Sequence, residues 1–380
     1  MKTKIILAVT LCVLALGACK KKPAEVTDYR QVEYAPRYAT GFRILGASGS
    51  DSRLIEVTDP WQGADSIKTA LLVLRDGDAA PVGFDGQVLN GEARRIVCTS
   101  STQVALLEAL GMGNRIVGVS GIDYITSPAI QARRDSIGDI GYEGAYNYEA
   151  LVAADPDLVL LYGVSGASGL EGKLRELHIP YMYVGEYVEE SPTGKAEWLL
   201  PLAEVCGAGA RGREVFDSIP LRYEAMRQRV KDLGADSRPV VMINTPYNDQ
   251  WFMPSVNNYM ARLVSDAGGR YAYTKNTGSM SEPIDMEEAY SLLSGADCWI
   301  NTGMFGTLSE LQRQYPKFVD TPPMVSGCVY NNNLRTTPGG GNDFYESAIV
   351  RPDIVLRDLI KAFHPDRVPE DFVYYHRLSD

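Results

Sequence analysis

Histidine is rare in this chain, which has three among its 380 residues, at His178, His364 and His376. None of them lies at metal-ligand spacing from a cysteine, and neither His364 nor His376 follows an aspartate by three residues. Histidine is the commonest protein ligand for metals and the commonest general base. The sequence therefore predicts no metal centre, and it lacks the Ser-His-Asp set of a hydrolase.

Cysteine is also scarce, and no two of the six cysteines form a CxxC pair. Cys12 and Cys19 lie near the N-terminus, and Cys98 and Cys298 lie in apolar, strand-like runs, where a free thiol behaves as a small hydrophobic side chain. An oxidising compartment would permit disulfides, but the sequence does not assign partners. We expect buried free thiols at Cys98, Cys206, Cys298 and Cys328.

An excess of basic residues is absent, since the formal net charge is −11 and the sequence pI is about 5.0. A general nucleic-acid-binding protein would usually be basic, so the composition argues against that class. A polyanionic ligand is disfavoured for the same reason, although a local basic pocket could still bind one.

Long apolar runs are missing beyond the N-terminus, so no transmembrane helix is predicted there. Residues 1–18 join the basic start MKTK to the apolar run IILAVTLCVLALGA, the layout of a secretory signal peptide. Residues 16–19, LGAC, resemble the bacterial lipobox, so we expect a lipidated Cys19 followed by a polar tether over 19–29. The lipid would anchor the protein to a membrane of the cell envelope. An ordinary signal peptide with a chance cysteine is the alternative.

What the chain does contain is enough hydrophobic sequence, 45% of 380 residues, for a large core and two lobes. Residues 30–92 form short β-type runs split by Gly, Asp and Pro, which predicts a small β-rich N-terminal extension. Apolar strands alternate with helices over 93–207, the first lobe, and again over 239–380, the second lobe. Such strands indicate parallel sheets covered on both faces.

Residues 208–238 are mostly helical and connect these two regions, with Pro220 among them. The predicted fold class is therefore α/β, with two Rossmann-like lobes joined by a single long helix. A helix offers no flexible linker, so we expect a limited opening motion between the lobes.

Two stretches repeat one outline, NYEALVAADPDLVLL at 147–161 and IDMEEAYSLLSGADCWINTG at 284–303. Each has an acidic helix start, a small-residue turn with an aspartate, and an apolar strand. Glu149 and Glu287 occupy matching positions, with Glu288 a close alternative to the second. The simplest interpretation of one such glutamate is that it favours the first helical turn. Its recurrence in both lobes suggests a shared function.

The ordered set of motifs resembles the iron-chelate and vitamin B12 class, class III, of substrate-binding proteins of ABC importers. It comprises the lipobox, RRIVCTSSTQVALLEALGMGNRIVGVSG, NYEALVAADPDLVLL, the connecting helix, LVSDAGG and RPDIVLRDLIKAFHP. The resemblance covers roughly residues 93–366, and the N-terminal extension is similar to Bacteroidales-type versions. It implies a monomer on the periplasmic side of the envelope that passes a metal chelate to a permease dimer and its ATPase subunits. Glu149 and Glu287 match the residues that dock into arginine pockets of the permease.

The ligand is expected between the lobes, at the carboxyl ends of the strands. Tyrosine outnumbers phenylalanine there, as in the whole chain, where the counts are 22 and 9. Aromatic, hydroxylated loops suit a large flat ligand with a polar edge, although each tyrosine alone could be ordinary packing. The candidates are Ser100, Ser101, Thr102, Asp123, Tyr124, Tyr142, Tyr146 and Tyr162 in the first lobe, and Tyr247, Trp251, Met304, Phe305, Tyr330, Asn331, Asn332, Asn333 and Arg335 in the second.

The resemblance leaves three ligands open. Haem-binding members present a tyrosine or histidine to iron, and no histidine lies in an expected cleft loop here. Siderophore-binding members often show several basic cleft residues, and only Arg335 and Arg262 are candidates. We therefore place a corrinoid such as cobalamin first, an iron-siderophore second and haem third. No resident cofactor is expected.

Two other classes compete with this interpretation. Residues 339–343, GGGND, contain the G-x-N-D spacing of some serine esterases, in which an asparagine helps to form an oxyanion hole. The matching nucleophile would come from SGSDS at 48–52, an imperfect match within the β-rich extension. A surface-adhesion lipoprotein is the other alternative, and it would lack the duplicated glutamates and the connecting helix.

Overall fold

The computed structural model describes residue 25 and residues 28–380. The expected signal peptide at 1–18 and the expected lipidation site at Cys19 lie outside the described residues. In the described part the strands are β1 (Gln31–Tyr34), β2 (Phe42–Gly46), β3 (Arg53–Thr58), β4 (Lys68–Leu74), β5 (Gln87–Asn90), β6 (Ile96–Cys98), β7 (Ile116–Val119), β8 (Gly138–Asp139), β9 (Leu158–Leu161), β10 (Tyr181–Tyr183), β11 (Val240–Ile243), β12 (Trp251–Met253), β13 (Arg270–Tyr271), β14 (Glu282–Ile284), β15 (Cys298–Ile300), β16 (Val329–Asn331) and β17 (His376–Arg377).

The helices are named in the same way, in chain order. They are α1 (Ser101–Ala109), α2 (Pro128–Gln131), α3 (Tyr148–Ala153), α4 (Glu171–Glu176), α5 (Pro192–Glu197), α6 (Leu199–Val205), α7 (Gly209–Arg227), α8 (Tyr259–Asp266), α9 (Met286–Ser294), α10 (Leu308–Gln314), α11 (Pro322–Ser326) and α12 (Pro352–Phe363). Within the described ranges no helix combines the length and the hydropathy needed to cross a membrane.

The predicted β-rich extension is confirmed as a five-stranded sheet in the order β1-β2-β3-β4-β5. Its neighbouring strands run antiparallel except β4 and β5, which are parallel. Successive side chains alternate between two buried faces, as the two-residue period of a strand requires. The pair Leu54 and Leu72 lies in a small separate core, whereas Ile55 and Leu71 belong to the main core of the first lobe. The extension is therefore packed against the first lobe.

Two buried glutamates of the first lobe hold the main chain that enters this sheet. Glu197 accepts hydrogen bonds from the N–H groups of residues 37–39 at 2.7 to 2.8 Å, and from the Tyr34 hydroxyl at 2.5 Å. Glu189 accepts from the N–H groups of residues 40 and 41 at 2.9 to 3.1 Å. The indole of Trp198 also donates to Glu189, at 2.9 Å. A buried carboxylate needs several donors, and this segment supplies them.

The first lobe contains a five-stranded parallel sheet in the order β10-β9-β6-β7-β8. Its central strands β6 and β9 are buried along their whole length. Both are continuous apolar runs because helices or other layers cover both faces of the sheet. The predicted parallel α/β architecture of this region is confirmed.

The second lobe has its own sheet, in the order β13-β11-β15-β16-β17, which is parallel except for the antiparallel edge strand β17. Strands β12 and β14 form a separate two-stranded antiparallel sheet. Cys298 at the start of β15 forms a disulfide with Cys328, just before β16, so the expectation of free thiols is wrong for this pair. The paired register of the two strands brings the cysteines together across 30 residues of sequence. Cys98 and Cys206 are buried free thiols, as expected.

Helix α7 is the predicted connecting helix, and it continues through Pro220. Its buried residues include Phe216 and Ile219, which belong to the core of the first lobe. Tyr223, one turn further, belongs to the core of the second lobe. One buried stripe of this helix is therefore shared between both lobes.

Candidate functional site

A cavity of about 340 Å³ lies between the two lobes. The first lobe contributes residues that directly follow strands β6 and β9, namely 99–102 and Tyr162. The second lobe contributes Tyr259 and Leu263 of α8, Phe344 and Tyr345, and residues of α12. The carboxyl ends of the strands are the edge at which open parallel sheets usually bind ligands.

The start of helix α1 supplies the hydroxyl groups of the cavity. Ser100 caps the helix by accepting from Thr102 N, and the side chain of Gln103 accepts from Ser100 N in return. This capping box holds the Ser100 and Thr102 hydroxyls 2.8 Å apart. Ser101 is used differently, because its hydroxyl donates to the Tyr345 carbonyl of the second lobe at 2.9 Å.

A buried acid and a lysine lie beside these hydroxyls. Glu186 is 1% exposed and accepts a 2.6 Å hydrogen bond on Oε1 from the Thr102 hydroxyl. Burial raises the pKa of Glu186, and the positive charge of Lys195 partly offsets that rise. Burial also lowers the pKa of Lys195, whose Nζ donates to the Glu186 carbonyl at 2.7 Å. Neither residue was predicted from the sequence, because the stretches around them, GEY at 185–187 and GKAEW at 194–198, contain no recognisable motif.

Aromatic rings form much of the remaining wall. The Tyr162 and Tyr187 rings meet edge to face, with centroids 5.7 Å apart. Lys195 Nζ lies 4.8 Å from the Tyr259 ring centroid, within cation–π range. Burial raises the pKa values of Tyr162, Tyr187 and Tyr259, so these phenols are neutral at physiological pH. The wall is therefore apolar with hydroxyl donors at its edges.

Some first-lobe candidates lie outside the cavity. Ser100, Ser101, Thr102 and Tyr162 line it, as described above. Tyr124 and Tyr142 are half exposed and pack edge to face, with centroids 6.2 Å apart. Asp123 forms a 2.7 Å ion pair with Arg134. Tyr146 donates to the Ser168 carbonyl at 3.2 Å.

None of the second-lobe candidates is among the residues that line the cavity. Met304 and Tyr247 are strongly exposed, at 95% and 69%. Phe305 packs on Tyr315, and Tyr330 packs on Phe372, each with centroids 5.8 Å apart.

Three predicted ligand contacts have side chains that are buried in the second lobe. Trp251 is completely buried, donates to the Ile243 carbonyl at 2.9 Å and packs on Trp299. Asn331 is also completely buried, and its amide donates to the Gly303 and Phe305 carbonyls at 2.8 and 2.9 Å. Asn332 is 3% exposed, and its main-chain N–H donates to Asn331.

The remaining polar candidates already have partners. The side-chain oxygen of Asn333 accepts a hydrogen bond from Nε2 of the His376 ring at 2.6 Å. Arg335 forms a 3.1 Å ion pair with Asp343, and Arg262 forms one of 3.3 Å with Asp266. The basic residues expected to meet an anionic ligand are therefore each paired with an acid.

The two docking candidates occupy the same position of their helices. Glu149 is the second residue of α3, whose N-cap Asn147 accepts from Ala150 N at 3.0 Å. Glu287 is the second residue of α9, whose N-cap Asp285 accepts from Glu287 N, also at 3.0 Å. Both glutamates are exposed, and neither carboxylate has a hydrogen bond or ion pair to any described residue. A helix N-terminus stabilises such a free charge through its dipole.

The neighbouring alternative, Glu288, differs from Glu287. Its carboxylate forms a 2.5 Å ion pair with Lys275. A carboxylate that already has a cation has less to gain from a second one. The structure therefore favours Glu287 over Glu288 as the counterpart of Glu149.

The GGGND stretch bridges the lobes. A side chain at Gly341 would collide with the carbonyl of Tyr124 in the first lobe, which explains the glycine. Beyond it, Glu346 accepts from Thr126 N at 2.6 Å and from Ser127 N at 2.8 Å, again across the lobes. The GGGND stretch is therefore part of a structural contact between the lobes, whereas the esterase alternative required it to form an oxyanion hole.

The nucleophile that this alternative required is also engaged elsewhere. The hydroxyls of Ser50 and Ser52 both donate to Asp78, at 2.5 and 3.0 Å, within the N-terminal sheet. Among the described residues, neither hydroxyl forms a hydrogen bond with a histidine.

The chain matches the family described as "Periplasmic binding protein" over residues 96–337, and it therefore belongs to that family. This match confirms the resemblance to substrate-binding proteins. The family binds ligands and does not transform them, which agrees with the prediction that the protein is not an enzyme.

Individual relatives are distant. An uncharacterized lipoprotein of Methanocaldococcus jannaschii is 23% identical over 296 residues, covering 75% of this chain and 68% of the relative. A periplasmic haem-binding protein of Pseudomonas aeruginosa has a TM-score of 0.59 at 17% identity, covering 76% of this chain and 99% of its own. A periplasmic vitamin B12-binding protein of Vibrio cholerae has a TM-score of 0.53 at 14% identity, covering 71% and 96%. The two solved structures share this fold.

Proposed function

We propose that this protein captures a metal chelate between its lobes and delivers it to an ABC permease dimer with its ATPase subunits. The observation that carries the proposal is the interlobe cavity, where aromatic and hydroxyl side chains of both lobes face one space. Concave sites with apolar walls and a few placed polar groups are the usual form of small-molecule sites. The protein would act as a monomer, anchored through Cys19 on the periplasmic side of the envelope.

Among the chelates, a corrinoid is proposed first, an iron-siderophore second and haem third. The order is supported by the pairing of Arg335 with Asp343 and of Arg262 with Asp266, which leaves these cations less available to an anionic ligand. The solved relatives named above include one haem-binding and one vitamin B12-binding protein, so the shared fold does not choose between ligands.

Delivery to the permease is supported by the duplicated helix starts. Glu149 and Glu287 present free carboxylates at the same helical position in each lobe. Arginine binds such carboxylates through two parallel hydrogen bonds, which gives both affinity and orientation. Two equivalent contacts would fit a dimeric partner.

Calorimetric titration of the purified protein with cobinamide, cobalamin, ferric siderophores and haemin tests the proposal. We expect at least one chelate to bind at a ratio of one to one and to be recovered with its mass and absorption spectrum unchanged. Absence of binding to every chelate, or steady turnover of an ester, would contradict the proposal.

A further inference from the structure

One oxygen of Glu186 is buried without a partner in the described part of the chain. Its other oxygen accepts from Thr102 at 2.6 Å. Among the described residues, the Glu186 carboxylate has no ion pair within 4.0 Å. The Nζ of Lys195 donates to the main-chain carbonyl of Glu186 and not to its carboxylate. A buried polar atom normally finds a hydrogen bond, so the unpaired oxygen of Glu186, a residue that lines the cavity, indicates a missing donor.

The cavity restricts what that donor can be. Its volume of about 340 Å³ lies at the lower end of the range of small-molecule pockets, about 300–1,000 Å³, so it suits an arm of a large chelate better than a whole macrocycle. An ionised carboxylate only accepts hydrogen bonds, and a second carboxylate beside it would be repelled.

We infer that the interlobe cavity receives an arm of the chelate that ends in an N–H donor, a primary amide or an ammonium group, with Glu186 as its acceptor. The inference rests on the proposed function and narrows its ligand class. A chelate edged with amides satisfies it, whereas one edged with carboxylates does not. Thr102 acts as a positioning residue, because its hydroxyl holds the other carboxylate oxygen.

Lys195 lines the cavity with a positive charge and could receive a carboxylate arm. Its ammonium group is half-buried, hydrogen-bonded to a carbonyl and placed over the Tyr259 ring. These contacts satisfy much of its charge without the ligand. The experiment must therefore compare amide and carboxylate arms on the same ring.

Two corrins provide that comparison. Cobinamide carries amide arms, and cobyrinic acid has the same ring with carboxylates in their place. We expect the wild-type protein to bind cobinamide at least about tenfold more tightly, a factor typical of one buried hydrogen bond. Glu186→Leu should lose roughly this factor for cobinamide, because it removes the acceptor. Glu186→Gln should keep most of the cobinamide affinity and lose the discrimination, because its amide both accepts and donates.

Glu190→Gln is the matched control, since it makes the same charge change at an exposed position of the same segment. Thermal unfolding of each variant checks folding, and Glu186→Gln decides the question if Glu186→Leu does not fold. Equal affinity for both corrins, or a preference of the wild type for cobyrinic acid or haemin, would overturn the inference and leave the proposed function standing. If the protein binds only a siderophore complex, the inference is overturned when the Glu186 variants bind that complex as tightly as the wild type does. No binding of any chelate would overturn both.

Discussion

Glu346 is a buried residue that contributes to the contact between the lobes. It is 2% exposed, and its carboxylate accepts two N–H groups of the first lobe. Burial raises its pKa from 4.5 to about 7, and the nearby charge of Asp343 adds to the rise. The folded chain therefore holds this proton more tightly than the unfolded chain does, in which the pKa is ordinary.

The consequence is a stability that depends on pH in a defined window. Because the folded state binds more protons, the contribution of Glu346 is greatest below pH 4.5 and is lost as the pH rises to about 7. The contribution of Glu346 to the free energy of unfolding therefore changes by about 3 kcal/mol at most across this window, at 1.36 kcal/mol for each pH unit. Glu346→Gln should remove it, so the variant should gain stability relative to the wild type at pH 8 but not at pH 4.5.

Urea unfolding of both proteins at several pH values measures this difference. Glu190→Gln, an exposed substitution with the same charge change, serves as the control. Parallel stability profiles of wild type and Glu346→Gln across this window would show that Glu346 titrates normally.

At the scale of elements, the attachment of the N-terminal sheet depends on carboxylates of the first lobe. Replacing Glu197 with Leu would leave the N–H groups of residues 37–39 without their acceptor. Each buried group left unsatisfied costs about 1–3 kcal/mol. We expect a loss of at least about 3 kcal/mol in the free energy of unfolding, together with faster amide hydrogen exchange at residues 37–41.

Hydrogen exchange followed by mass spectrometry resolves this segment from the rest of the chain. Glu190→Leu provides a control at an exposed position nearby. Exchange at residues 37–41 that stays as slow as in the wild type would mean that Glu189 and side-chain packing suffice to hold the sheet.

The elements themselves were largely predictable, because strands such as β9 are buried on both faces and therefore read as unbroken apolar runs. Contacts between distant elements were not. Trp251 was expected in the cleft, but the two-stranded sheet of β12 and β14 places it against Trp299 in the core. The Cys298–Cys328 pair depends on which strands are neighbours. Glu186 joins the cavity only because β10, which precedes it, lies beside β9.

At the scale of the whole molecule, docking should be separable from ligand binding. Glu149 and Glu287 lie on helices outside the cavity wall, so Glu149→Arg with Glu287→Arg should leave chelate affinity unchanged. Each lost carboxylate should cost about 2–5 kcal/mol of permease binding if its arginine partners are desolvated on docking. Complex formation should therefore be almost abolished, as measured by co-purification with the permease in detergent.

Two controls accompany this experiment. The Glu190→Arg, Glu214→Arg protein carries the same change in net charge at other exposed positions. Glu288→Arg tests the neighbouring glutamate, which is paired with Lys275. Undiminished co-purification of the Glu149→Arg, Glu287→Arg protein would mean that the duplicated glutamates only stabilise their helices.

The lobes should also move little relative to each other. Helix α7 is packed into both cores, and Glu346 and Gly341 join the lobes at a second place. We expect small-angle scattering profiles of the free and chelate-bound protein to differ by no more than a small rotation would produce. A marked compaction on binding would contradict this expectation.

The shared stripe of α7 has a further consequence, for the way the chain folds. Phe216 and Ile219 belong to the core of the first lobe, and Tyr223 belongs to the core of the second lobe. If either lobe unfolds, the other lobe therefore loses part of the helix that covers its core. The two lobes are therefore halves of one cooperative folding unit. Cutting the chain between them would leave each half with an uncovered apolar face, and neither half would be an independent module that could be exchanged between proteins.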